Sequence, residues 1–167
     1  MLEQTCCFTG HRPQKLPFHS NENDKRCMKL KVMIRKEIKT LIVEKSIKHF
    51  ISGMAIGTDI IFAEIVLEMK KNYDITLECA IPCRNQSDKW TIQQKERYTK
   101  ILLQADIVTY LQNDYTKDCM QKRNEYMVDK SEYVIAVWNG SKSGTANTIK
   151  YARKKNKSII IIDLNKL

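Results

Sequence analysis

The chain has 167 residues, a formal net charge of +10 and six cysteines. That length corresponds to one domain with a single core. No apolar run reaches the length of a membrane span and the start lacks a signal-peptide pattern, which excludes membrane and secreted classes and leads us to expect a cytoplasmic protein. The cysteines (Cys6, Cys7, Cys27, Cys79, Cys83 and Cys119) lack the two-residue gap of a zinc or redox motif, so buried reduced thiols and no metal centre are expected. A basic balance favours polyanionic partners. Yet Lys29, Lys31, Arg35, Lys36 and Lys39 share the polar face of one helical pattern, and no aromatic-studded basic stripe is present. Nucleic acid is expected to bind weakly at most.

In chain order, residues 3–8 read as a first strand leading into Thr9-Gly10-His11-Arg12-Pro13. Pro13 and Pro17 keep the next segment extended, and the loop to about Asp24 has a length typical of functional loops. Leu30, Ile34, Ile38 and Leu41 recur at helical spacing and predict a helix over about 24–46. A strand at 48–52, a helix at 58–71 and a strand at 75–81, closed by Pro82, follow. Beyond a polar loop come a helix at 89–104, a strand at 106–111 and a helix at 117–131. A strand at 133–138, a helix at 145–156 and a strand at 158–163 close the chain. This alternation predicts an α/β fold, with a single doubly wound, mainly parallel sheet flanked by helices, forming one domain over 1–167. The Ile159–Ile162 run reads as a strand buried on both faces.

Two loops share one construction. After the apolar run at 48–52 come Gly53, Ala55, Gly57, Thr58 and Asp59, opening a helix; after 133–138 come Gly140, Ser143, Gly144 and Thr145, opening another. Glycine serves where backbone must approach a ligand closely, and a helix N-terminus offers free N–H groups to an anion. Four of the five glycines lie in these two loops. Ligands of such sheets sit beyond the carboxyl ends of the strands, so Thr9–Pro13 and both glycine loops are expected on one edge.

Together these loops, with Glu64 and the segment Arg123-Asn124 through Ser131, resemble the bacterial YpsA-like proteins of the SLOG superfamily over essentially the whole chain. The resemblance implies a Rossmann-like domain with a nucleotide or nucleotide-sugar pocket and no certain cofactor. A more distant likeness is to LOG phosphoribohydrolases, through Met120-Gln-Lys-Arg123 and Gly144-Thr145. In their Gly-Thr-x-x-Glu pattern the catalytic Glu position is Thr148 here, so that activity is not expected. The 52–59 loop resembles that of DNA-processing proteins.

The residues read individually give roles. Arg12 and Arg123 offer planar forks for phosphate, and Asn124 stands beside Arg123. Thr58 and Thr145 combine helix capping with ligand contact. Asp59 either hydrogen-bonds a ribose hydroxyl or fixes its loop. His11 is either a brace or a ligand contact, and Glu64 is a brace, a surface group or a catalytic acid. Gly10, Gly53, Gly57, Gly140 and Gly144 permit close approach of phosphate. Trp90 and Trp138 are expected to pack against the sheet edge. The function expected is binding of a nucleotide-derived small molecule in a sensor or regulatory protein. A nucleotide-processing enzyme, using Asp59, Glu64 or Glu125, and a nucleic-acid-binding protein are the alternatives. Other partners in view are a downstream protein and a second copy in a homo-oligomer, with no membrane.

Overall fold

The computed structural model describes residues 4–167. Strands β1 (Thr5–Gly10), β2 (His49–Ser52), β3 (Thr76–Ile81), β4 (Ile107–Tyr110), β5 (Tyr133–Trp138) and β6 (Ser158–Asp163) alternate with five helices. These are α1 (Lys25–Lys45), α2 (Thr58–Met69), α3 (Ile92–Gln104), α4 (Cys119–Asp129) and α5 (Gly144–Lys154). All strand pairs are parallel, in the order β4-β3-β2-β1-β5-β6. The predicted α/β, Rossmann-like sheet is therefore present.

Its shape follows from the connections. From β1 to β4 the chain steps outward one strand at a time. After β4 it crosses back over the sheet through α4 and resumes beside β1 as β5. The order reverses between β1 and β5, which makes their carboxyl ends a switch point. One sheet face packs Phe8, Phe50 and Leu77 against Leu30, Ile34 and Ile38 of α1 and Phe62 of α2. Phe8 and Phe62 stack there at 4.5 Å between ring centroids. The other face packs Cys7, Ile51 and Ala80 against Met127 and Val128 of α4 and Ala152 of α5. All six cysteines are free and buried, as expected of reduced thiols.

Three elements depart from expectation. β1 runs to Gly10, because Thr9 and Gly10 continue the ladder opposite Ala136 and Val137; Glu3, placed in this strand from sequence, lies outside the described residues. α3 starts at Ile92, where a capping box between Thr91 and Gln94 fixes its first turn. β6, expected to be buried on both faces, is an edge strand with Ile161 41% exposed. Consecutive isoleucines specify a strand but not its place in the sheet. Among the described residues no helix is long and apolar enough to cross a membrane.

Candidate functional site

Because every strand is parallel, the loops after β1, β2 and β5 share one edge. Between β1 and β5 they enclose a cleft of about 450 Å³. Its lining includes ten of the residues expected from sequence: Gly10, His11, Arg12, Ala55, Asp59, Arg123, Asn124, Ser143, Gly144 and Thr145. That volume lies within the usual range for small-molecule pockets.

Arg123 is the centre of the cleft. It projects from α4 and is only 3% exposed. Its Nη1 donates to the carbonyl of Gly53 and, at 3.5 Å, to that of Ala80, while Nε donates to Asn124 Oδ1 at 2.8 Å. Among the described residues, Nη2 has only the Met120 sulfur, at 3.9 Å. Arg12, exposed at the end of β1, likewise reaches only that sulfur among the described residues. Neither guanidinium is ion-paired with a carboxylate among the described residues. Burial opposes the charge on Arg123, and Asp59 favours it. In turn, burial pushes the Asp59 carboxyl upward and Arg123 offsets part of that shift. Asp59 Oδ2 accepts the Ala55 N–H at 3.2 Å, which fixes the loop.

The two glycine loops, alike in sequence, differ in structure. At α5 the Ser143 hydroxyl caps the helix by accepting from Ala146 N at 3.1 Å. The amides of Gly144 and Thr145 find no acceptor among the described residues, and both residues line the cleft. A Cβ at Gly144 would meet nothing within 4 Å. This helix end is open to an anion.

At the start of α2 the first amide is taken by the protein itself. Thr58, fully buried, donates both its N–H (3.3 Å) and its hydroxyl (3.0 Å) to the carbonyl of His11. The cap of α2 is Gly57, at φ 103°, with no side-chain hydrogen bond. Gly57 packs on the backbone of His11 and Arg12, and Gly53 packs under the guanidinium of Arg123. The contacts anticipated for Gly53, Gly57 and Thr58 as ligand residues are thus made with the protein. Gly140 lies in the β5–α5 loop off the cleft. Neither tryptophan lines the cleft.

Glu64 also stands elsewhere. It holds Arg97 of α3, with Oε2 2.9 Å from Nε, and Arg97 also holds Glu22. This network borders a separate cavity of about 180 Å³ beside Trp90 and Phe18. Replacing Glu64 with Gln should therefore leave cleft binding unchanged. It should cost at most about 1 kcal/mol of stability, since partly exposed pairs contribute no more. Equilibrium unfolding and titration calorimetry check both parts.

His11 braces the cleft wall. Its Nε2 lies 2.9 Å from Asn139 Oδ1, and Asn139 Oδ1 also accepts the Ser141 N–H at 2.9 Å. Lys15 adds a second bridge, donating to Lys142 O at 2.6 Å and Ser141 Oγ at 3.2 Å. Burial holds the His11 imidazole below its ordinary value of 6.5, and Asn139 opposes this. The folded protein therefore takes up that proton less readily than the unfolded chain. The His11 contribution to stability is complete above pH 6.5 and declines as the pH falls from there toward the folded value. Thermal unfolding midpoints should drop in that window, and drop less in His11→Gln.

Lys15, Met120 and Met127 line the cleft, although sequence assigns none of them to the site. Met120 had a signal, because it stands three residues before Arg123 in the Met-x-x-Arg pattern. Asn139, the partner of His11, had none beyond its place in a loop. No group of three or more His, Cys, Asp or Glu able to hold a metal occurs among the described residues.

Comparison with known proteins agrees with this architecture. The family model described as the YspA SLOG family matches residues 6–167. The chain is 36% identical over 140 residues to the SPbeta prophage-derived protein YoqJ of Bacillus subtilis, covering 76% of this chain and 82% of that one. It is 30% identical over 155 residues to a UPF0398 protein of Bacillus cereus, covering 90% and 83%. Among solved structures it resembles DNA processing protein A from Helicobacter pylori, with a TM-score of 0.62 at 18% identity, over 99% of this chain and 71% of that one. The Streptococcus pneumoniae counterpart gives 0.63 at 16%, over 94% and 49%. Fold, loop order and sequence agree: this chain belongs to the YspA SLOG family.

Proposed function

We propose that the chain binds a nucleotide or nucleotide-derived molecule in the β1/β5 cleft and acts as a sensor or regulatory protein for a protein partner. The observation that carries this is Arg123: a buried guanidinium with one nitrogen unmatched by any oxygen among the described residues, facing the same space as Arg12 and the free amides of α5. A buried cation without a paired anion is costly, and a phosphate supplies the missing partner through charge-assisted hydrogen bonds. Asp59 is the one carboxylate in the lining and suits a ribose hydroxyl rather than the phosphate. Calorimetric titration with nucleoside mono- and diphosphates and nucleotide sugars tests this reading, and the absence of binding by the whole panel would overturn it.

The hydrolase reading has weaker support. Thr148 is fully buried and donates to Gly144 O at 2.9 Å, so its side chain is turned into the helix packing. Glu64 and Glu125 are outside the lining. A missing electrostatic group typically costs ~10²–10³-fold or more in rate. Incubation with adenosine monophosphate should release no free base by chromatography, and robust release would reverse the assignment.

Nucleic acid is the second reading. The Helicobacter pylori protein is described as binding single-stranded DNA, and a strand end would present the same phosphate to these cations. With lysines spread over several helix faces, association with DNA should be weak, sequence-blind and steeply lost with salt. A shift assay showing tight binding at physiological salt would favour this reading over the small molecule.

A further inference from the structure

We propose that β6 is a dimerisation edge that pairs antiparallel with β6 of a second copy, joining two sheets into one. The two sheet edges differ in length. β4 has four residues, and Arg84 lies over its Tyr110 ring at 4.2 Å. β6 has six residues, Ser158-Ile-Ile-Ile-Ile-Asp163, with no proline or lysine within it. Long apolar edges normally carry such protection, because their free N–H and C=O groups recruit other strands. Ile161 is 41% exposed there, and only β5 pairs with β6 among the described residues.

The strand's own sequence names the partner. Ser158 N–H donates to Glu132 O. By alternation the main-chain groups of Ser158, Ile160 and Ile162 face β5, and those of Ile159, Ile161 and Asp163 face outward. An antiparallel copy can then exchange hydrogen bonds between Ile159 and Ile161 of the two chains. This register sets Ile160 opposite Ile160 on the two-fold axis and covers Ile161 twice. It also sets Lys157, just before the strand, opposite Asp163 at its end, once at each side of the axis. Neither residue has an ion-pair partner within its own chain among the described residues. A strand basic at its start and acidic at its end is complementary to itself only when antiparallel. Each copy carries a net charge of +10, so the contact should be read at physiological salt, where repulsion is screened beyond about 8 Å.

Sedimentation velocity over a concentration series tests the assignment. The wild-type chain should show a concentration-dependent dimer. Ile161→Lys should weaken it by about tenfold or more, with unchanged far-UV circular dichroism. Lys157→Asp and Asp163→Lys should each weaken it through facing like charges, and the double exchange should restore it. A wild-type monomer up to the solubility limit overturns the proposal, as does a dimer indifferent to Ile161→Lys. Failure of the double exchange to restore association after both single changes abolish it overturns the antiparallel register.

Discussion

Arg12→Ala is expected to weaken nucleotide binding by about 10–100-fold while leaving stability within about 0.5 kcal/mol of the wild type. The first figure is the worth of one or two hydrogen bonds to a charged group, about 1.5–3 kcal/mol. The second follows because the Arg12 guanidinium is exposed and its only hydrogen-bond partner among the described residues is the Met120 sulfur, at 4.0 Å. Arg123→Ala is the less clean experiment. It should also abolish binding, but it removes the donor from the carbonyls of Gly53 and Ala80 and the support under the loop. Loss of fold would then obscure loss of ligand, and unfolding curves for both variants separate the two effects. Equal affinity of wild type and Arg12→Ala would remove Arg12 from the site.

Gly57→Val should be the most damaging single change in the loops, destabilising the fold by about 2–5 kcal/mol. A valine there would hold φ near 103°, and its Cβ would stand 2.9 Å from His11 O and 3.0 Å from Arg12 Cα. The His11–Arg12 backbone it meets is not the movable end of a side chain, and the cost is a large part of the total stability of a small domain. Gly144→Val is the contrasting case. Its Cβ enters open space at the cleft mouth, so the variant should fold and lose affinity. Urea unfolding and calorimetry on the pair decide the matter. Similar stability of both variants would contradict the packing role of Gly57.

These two loops mark where sequence reading stopped. The alternation of strands and helices was legible because each apolar run and each helical stripe is a local signal. The sheet's reversal between β1 and β5, which makes the cleft, is a consequence of connection order and was predictable only in kind. Gly53–Asp59 and Gly140–Thr145 carry the same residue types, so sequence gave them the same task. Their difference arises from a contact 47 residues distant, where Thr58 turns its hydroxyl to His11 O. Of the roles open to Glu64 in sequence, the brace is the one the structure gives, and no local signal could choose it, because its partner Arg97 lies 33 residues on. Arg123 stands out in sequence through the Met-x-x-Arg likeness and its neighbour Asn124, and the fold adds its burial, which conflicts with its charge. Such conflicts gather at sites of binding. The four isoleucines of β6 conflict in the opposite direction, since an edge did not require them.

The most direct test is amide chemical-shift mapping of the intact chain during titration with adenosine monophosphate and diphosphate. The Gly144 and Thr145 amides have no acceptor among the described residues and lie at the open end of α5. If the cleft binds phosphate, these two should move most, together with the Arg12 and Arg123 side-chain signals. Thr58, already bonded to His11 O, should move little. No saturable movement at Gly144 and Thr145, or movement centred instead on Trp90 and Arg97 beside the smaller cavity, would contradict the account.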